Sequence, residues 1–534
     1  MAFIFLLRKK INAGKRFGKK GWSSAVAKAM AGQVESGKKD RSSKRSFFPP
    51  QVPTLIGYIA FFSRKVSIMK AAFIGGGSLR LLPIFRAIFA ESPEVFRNGE
   101  IRLIDRVVKR AQAVKDLLLA SPEYPAVACR VVVSDDIDEG LKDVDVLYLT
   151  MAAVREPSDT QANMLAHEYG YISSDQLSIN GAFLSLRLGS FILSLARKLE
   201  KLSPKALMLI FPNPVAVYSA MVNKYTSIKA LGICGGFNNH RWDLTRLCFG
   251  KNEFDTNWNV VACGVNHLSY IIRGDYQGED LYSSLLPRTL TENWQCISMP
   301  WEGMPKVLVE GALKDLYNTY KKYDTLIFST EFDGLSHVSK ANYRKFQAWQ
   351  LEKLAPFDPE KTRQRHQESI EQRFKTFIEA SKHPETVEWS NRIDDRSSLF
   401  AIDPTDISIS IFKALAGVEK MRITASMPNC NGTISNLFEG AAAEFTMDIY
   451  KDTITPVPDQ YIPSPFLGLT ASLAEFQTLL ADSVAQNDPK LFAAALDAYP
   501  INRFEPNRKE FIQKMFDIYT DIDPDMRKAI NYIW

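Results

Sequence analysis

Cysteine is scarce in this chain: there are six in 534 residues (Cys129, Cys234, Cys248, Cys263, Cys296 and Cys430), and no two stand as C-x-x-C. That pattern argues against a disulfide framework or a zinc knuckle and suits reduced thiols in a cytoplasm. Also missing is any apolar run of the roughly 18 to 20 residues a membrane helix needs. The longest candidate, near Leu55 to Phe62, is too short, so no membrane partner is expected. A basic body is lacking too. Residues 1–68 hold 15 Lys and Arg against Glu35 and Asp40, a charge of +13, whereas residues 69–534 hold 51 bases against 58 acids, a charge of −7. An acidic body argues against nucleic acid as a partner.

What is present is an ordinary globular composition, 46% hydrophobic and 24% charged, able to bury a large core. The length exceeds one typical core, so two sizeable domains are expected. Residues 8–48 mix Lys, Arg, Ser and Gly without helical or alternating periodicity and read as a basic extension outside the fold. Ala2 to Leu7 is apolar, but it precedes the basic cluster and is shorter than a signal-peptide core. Foldable sequence starts at Met69-Lys70.

From there the order is strand, glycine turn, helix. Ala71 to Ile74 is a short apolar run, Gly75-Gly76-Gly77-Ser78 follows, and an amphipathic stretch continues to Ala90. Glycines let a backbone turn tightly against a pyrophosphate whose charge rests on the helix N-terminus. A second strand, Ile101 to Ile104, ends in Asp105, where an acid would take a ribose hydroxyl of NAD. Arg80 stands where the third glycine of G-x-G-x-x-G belongs. Strands at Arg130 to Val133 and Val144 to Thr150 continue the alternation that builds a parallel sheet. A helix carries Phe183, Leu184, Leu188, Phe191, Ile192, Leu195 and Leu199 on one face and stops at Ser203-Pro204. The strand Ala206 to Phe211 then delivers Asn213 between two prolines, Ala230 to Ile233 delivers Cys234, and Val260 to Cys263 leads into Gly264-Val265-Asn266-His267. The expected architecture is α/β: a Rossmann-type doubly wound parallel sheet over 69–233, then a larger α+β substrate and oligomerisation domain over 234–534, like lactate and malate dehydrogenases.

Read in order, GGGS at Gly75, LID ending at Asp105, EYG at Glu168, NP at Asn213, LGIC ending at Cys234, GVNHL at Gly264 and G-T-I-S-N-L-F at Gly432 with Glu444 beyond it resemble glycoside hydrolase family 4. The resemblance runs from Met69 to about Trp534. It implies a glycosidase that uses NAD to oxidise the sugar C3 hydroxyl, removes the acidified C2 proton, eliminates the glycosidic oxygen, adds water and returns the hydride, with a divalent cation, Mn²⁺, stabilising the enolate; this family is an exception to paired-carboxylate hydrolysis. It further implies Cys234 and His267 as metal ligands, Asp175, Asn213 and Asn266 as sugar contacts, and Tyr343 as the base, with Tyr320 and Tyr323 as alternatives. His240 is a rival ligand.

This sequence departs from the family pattern at three places. Most glycines around Asp175 are gone, Phe438 replaces a proline, and Gly235 follows the cysteine where Asn, Asp or His is usual. Arg155 to Asp159 reads Arg-Glu-Pro-Ser-Asp, too acidic to welcome a phosphate, so an unphosphorylated glycoside is the expected substrate. A homodimer or homotetramer is the expected assembly. Two other readings stay open on sequence alone: an NAD-dependent sugar or hydroxy-acid dehydrogenase that releases NADH, and an inactive relative that only binds NAD.

Overall fold

The structure is a computed structural model, and it describes residues 68–151, 157–251, 253–289, 306–328, 334, 336–338, 348–349, 352, 358–390, 399–503 and 505–533. Six strands follow the apolar runs read from the sequence: β1 (Lys70–Ile74), β2 (Glu100–Ile104), β3 (Arg130–Ser134), β4 (Val146–Leu149), β5 (Leu207–Ile210) and β6 (Lys229–Gly232). They lie parallel in the order β6-β5-β4-β1-β2-β3. β1 and β4 are buried along nearly their whole length, as strands covered on both faces must be. The order reverses direction between β1 and β4, which opens the crevice where such sheets take ligands.

Seven more strands were not legible as a set in the sequence. They are β7 (Trp258–Val265), β8 (Leu268–Tyr276), β9 (Glu279–Asp280), β10 (Leu326–Phe328), β11 (Met421–Pro428), β12 (Ala442–Tyr450) and β13 (Thr453–Pro456). All pair antiparallel and extend the same sheet past β6 in the order β11-β12-β7-β8-β10. The sheet is therefore continuous across Ile233, and what changes there is parallel pairing to antiparallel, through Ser426 opposite Gly232.

The core lies on both faces of this sheet. Phe73, Phe85, Phe96, Tyr148 and Phe412 form one aromatic cluster, with Phe73 and Phe85 edge-to-face at 4.9 Å. Each such fully buried side chain contributes about 1.5–3 kcal/mol. Phe412 belongs to the helix Ile407–Leu415 and Phe85 to the helix Leu81–Glu91, so residues more than 300 apart in sequence share one cluster. The helix Ile179–Leu202 is long and apolar enough to cross a bilayer, but 72% of its apolar window is buried inside the protein. It packs against the helices Val215–Tyr225 and Leu467–Gln486, which makes it a core element.

Candidate active site

The glycine loop is shaped by its contacts with β2. Gly75 and Gly76 both donate to the Ile104 carbonyl, each at 3.0 Å, and Gly77 donates to Asp105 Oδ2 at 2.9 Å. A Cβ on Gly76 would stand 2.6 Å from the Leu103–Ile104 backbone, and Gly75 adopts φ +88°. Only glycine allows both. The helix Leu81–Glu91 that follows has no side-chain cap; its Leu81 N–H is taken by the Ser78 carbonyl at 3.1 Å, and its positive end is left to a ligand. The residues present therefore fit a dinucleotide pyrophosphate. Asp105 sits at the end of β2 as expected, but its two oxygens already accept the N–H groups of Gly77 and Val107. Asp105 therefore builds the loop itself.

Arg80, in the third-glycine position, does something the sequence did not announce. Its guanidinium pairs with Asp406 through Nε at 3.1 Å and through Nη2, and it lies 3.3 Å from the centre of the Phe211 ring. Asp406 caps the helix Ile407–Leu415. Burial would raise its pKa, but Arg80 and the Ser408 hydroxyl outweigh that and hold it below the ordinary carboxylate value.

At the end of β5, Asn213 Nδ2 donates to Asp175 Oδ2 at 2.6 Å, and Gln176 Nε2 donates to Asn213 Oδ1. Gln176 Oε1 in turn accepts the Val215 N–H at 3.1 Å. Two of the expected sugar contacts, Asp175 and Asn213, are thus joined in one bonded pair held by Gln176, a residue the sequence reading passed over.

Cys234 follows β6, and His267 lies in the two-residue turn between β7 and β8. Gly232, Ser426, Glu444 and Gly264 stand opposite one another across β6, β11, β12 and β7. Cys234 is two residues beyond the first and His267 three beyond the last, and the fold brings Sγ to 3.6 Å from His267 Nε2. His267 holds φ +71°, a conformation that costs a non-glycine residue free energy and is found preferentially at functional sites. With the bond lengths of zinc to sulfur and nitrogen, about 2.3 and 2.0–2.1 Å, as the yardstick for a divalent cation, the 3.6 Å separation subtends about 110° at a shared ion. The pair fits one metal ion. Among the described residues no group of three or more His, Cys, Asp and Glu could hold a metal. The rival His240 is buried, and burial alone drives its pKa well below the usual histidine value.

Asn266, beside His267, donates to Glu444 Oε2 at 2.7 Å. Glu444 is 6% exposed. Burial raises its pKa, while Asn266 and the charge of His267 act in the opposite direction. Its motif was visible in the sequence, but its place beneath the His267 turn was not. Gly235 is exposed, and a side chain there would meet nothing within 4 Å.

Tyr343 lies outside the described residues. Tyr320 and Tyr323, the alternatives, have ring contacts with Tyr282 and Phe466. Asp159 is buried and accepts from Arg187 at 3.2 Å and Tyr519 at 3.1 Å. Its charge is spent inside the protein and cannot be what repels a phosphate; residues 152–156 lie outside the described set.

Two family models cover the chain: family 4 glycosyl hydrolase over residues 70–247 and the family 4 glycosyl hydrolase C-terminal domain over 262–501. The chain belongs to family 4 of the glycosyl hydrolases. It is similar to the α-galacturonidase of Lachnoclostridium phytofermentans, 21% identical over 86% of this chain and 96% of that one. It is also similar to the 6-phospho-β-glucosidase of Escherichia coli, 21% identical over 81% and 91%. Among solved structures, a 6-phospho-α-glucosidase from gut microorganisms in complex with NAD and Mn²⁺ superposes with TM-score 0.66 at 18% identity, covering 86% of this chain and 99% of that one. The 6-phospho-β-glucosidase of Thermotoga maritima, with manganese, NAD⁺ and glucose-6-phosphate, gives 0.63 at 16% identity, with 85% and 99% covered. The expected fold is confirmed, and membership of a hydrolase family decides against the plain dehydrogenase.

Proposed function

We propose that this family 4 glycosyl hydrolase cleaves an unphosphorylated glycoside with the help of NAD and a divalent cation, Mn²⁺ by preference. The observation that carries the reading is the 3.6 Å approach of Cys234 to His267. NAD, when bound, would supply a reversible hydride acceptor for the sugar C3 position, and the cation would supply a Lewis acid at the adjoining oxygens.

The chain's own residues account for the rest. Gly75 to Ser78 and the uncapped helix behind them seat the pyrophosphate, with Asp105 at the adenosine ribose. Cys234 and His267 hold the cation, and thiolate with imidazole makes the site a modest one for Mn²⁺. The Asp175–Asn213 pair takes sugar hydroxyls: the acceptor of one and the amide of the other are already fixed relative to each other, so little side-chain freedom is lost on binding. Asn266, pinned by Glu444, orients the turn that carries His267. Tyr343 is assigned the removal of the C2 proton by the family resemblance, a role in which a cation would raise a tyrosine's acidity. No side chain at Gly235 can protonate the departing oxygen, which favours substrates with good leaving groups. Similarity to α-galacturonidases and an α-galactosidase is compatible with an unphosphorylated sugar, and similarity to 6-phospho-glucosidases makes phosphorylated glycosides the alternative to be tested beside it.

The test is a screen of aryl glycosides, phosphorylated and not, with NAD⁺, Mn²⁺ and a thiol reductant. Turnover without net NADH release is expected. Stoichiometric NADH would mean a dehydrogenase, and bound NAD with no turnover on any sugar would mean an inactive relative.

A further inference from the structure

Beyond the antiparallel edge of the sheet lies a recess of about 310 Å³, bounded among others by Tyr282, Tyr320, Tyr461, Asp324, Ile272 and Pro463. Tyr320 is an alternative to Tyr343 as base; the other residues named here have no part in the proposed Cys234–His267 site. The volume stands at the low end of small-molecule sites. Aromatic rings stand among its polar walls: the Tyr282 and Tyr320 rings lie 6.1 Å apart at 41°, and Tyr461 is 48% exposed. Its polar groups are few and free. Among the described residues, the Tyr320 hydroxyl and the Asp324 carboxylate form no hydrogen bond with another side chain, whereas the Tyr282 hydroxyl is used up by the Ile271 carbonyl and the Leu326 N–H. Burial and then the charge of Asp324 raise the Tyr320 pKa, so its phenol keeps its proton and can donate.

We propose that this recess is a second, non-catalytic sugar site that binds a neutral pyranose. Aromatic faces suit the apolar C–H surface of a sugar ring. A carboxylate accepts from ring hydroxyls, and a protonated phenol donates to one. An anion is disfavoured because, among the described residues, no Lys, Arg or His lines the recess and Asp324 does. A quaternary ammonium would suit the rings and the carboxylate, but it accepts no hydrogen bond and would use only the carboxylate, leaving the Tyr320 O–H to water. A hydroxyl that both donates and accepts satisfies the two groups together.

Saturation-transfer NMR and calorimetry on the full chain with methyl glucosides and methyl galactosides test this. Saturable binding is expected, weakened about tenfold by Tyr461→Ala and several-fold by Asp324→Asn, and unchanged in the Cys234→Ser/His267→Ala double variant. Asparagine is the chosen replacement because Asp324 has φ +52°, which asparagine also tolerates. Loss of binding in the double variant with Tyr461→Ala unaffected would place the sugar at the catalytic site and overturn the proposal. Saturation by tetramethylammonium alone, or by no methyl glycoside, would overturn it as well. Because hydrolysis is not read, failure here is distinct from failure of the proposed activity.

Discussion

Arg80 reaches Asp406 across 326 positions of sequence and bonds it through Nε and Nη2. The contact ties the start of the cofactor helix to the cap of the helix Ile407–Leu415, while the guanidinium stacks on Phe211, two residues before Asn213. In this chain the position usually given to a close-packing glycine is a strut between the two halves.

Removing one partner of a buried pair strands the other charge, at about 3–5 kcal/mol. Arg80→Ala, which strands the buried Asp406 carboxylate, is expected to cost stability on that scale; Asp406→Ala, which leaves a guanidinium side chain that is 24% exposed, is expected to cost less, and the double variant less than the sum of the two. Urea denaturation measures it, and additive losses would show that the pair is not coupled. The pH dependence follows from the sign. Asp406 is held below its ordinary pKa in the folded state, so its contribution is complete above the unfolded value of about 3.9 and is lost as pH falls through the lower folded one. Asp406→Asn should flatten stability below about pH 4.

Cys234→Ser and His267→Ala are each expected to weaken Mn²⁺ binding at least tenfold while leaving NAD binding unchanged. Manganese EPR titration and cofactor fluorescence measure the two separately. Undiminished Mn²⁺ affinity in both variants would remove the pair from the metal site.

Glu444→Ala leaves the Asn266 amide without its acceptor in a buried place, an expected loss of about 1–3 kcal/mol. Glu444→Gln, which keeps an acceptor oxygen, should recover most of it. The readout specific to the His267 turn is Mn²⁺ affinity, which should fall in the alanine variant and return in the glutamine variant.

Asp105 carries a negative charge where a 2′-phosphate would lie, so NAD⁺ should bind more tightly than NADP⁺. Because its oxygens also hold the Gly77 and Val107 N–H groups, Asp105→Ala is expected to weaken both cofactors and lower the melting temperature. A clean switch to NADP⁺ with unchanged stability would contradict that double duty.

Tyr343→Phe should preserve NAD and Mn²⁺ binding and abolish exchange of the substrate C2 proton with deuterated solvent. Unchanged exchange would move the role to Tyr320 or Tyr323.

The sequence by itself determined the parallel half. Apolar runs at β1 to β6, a glycine turn and a helical apolar period are local patterns, and a parallel strand buried on both faces must be written that way. It also determined which residue types come to the strand ends, among them Asp105, Asn213 and Cys234. Only the tertiary structure decided the rest. The antiparallel strands are linked over long separations, as when Ser426 joins Gly232, and no local period encodes that partner. The meeting of Cys234 with His267, the clamp of Glu444 on Asn266 and the strut from Arg80 to Asp406 each join residues whose proximity depends on the whole sheet being assembled. Chemistry-bearing residues can be read singly from a chain; the distances that make them a site are a property of its packing.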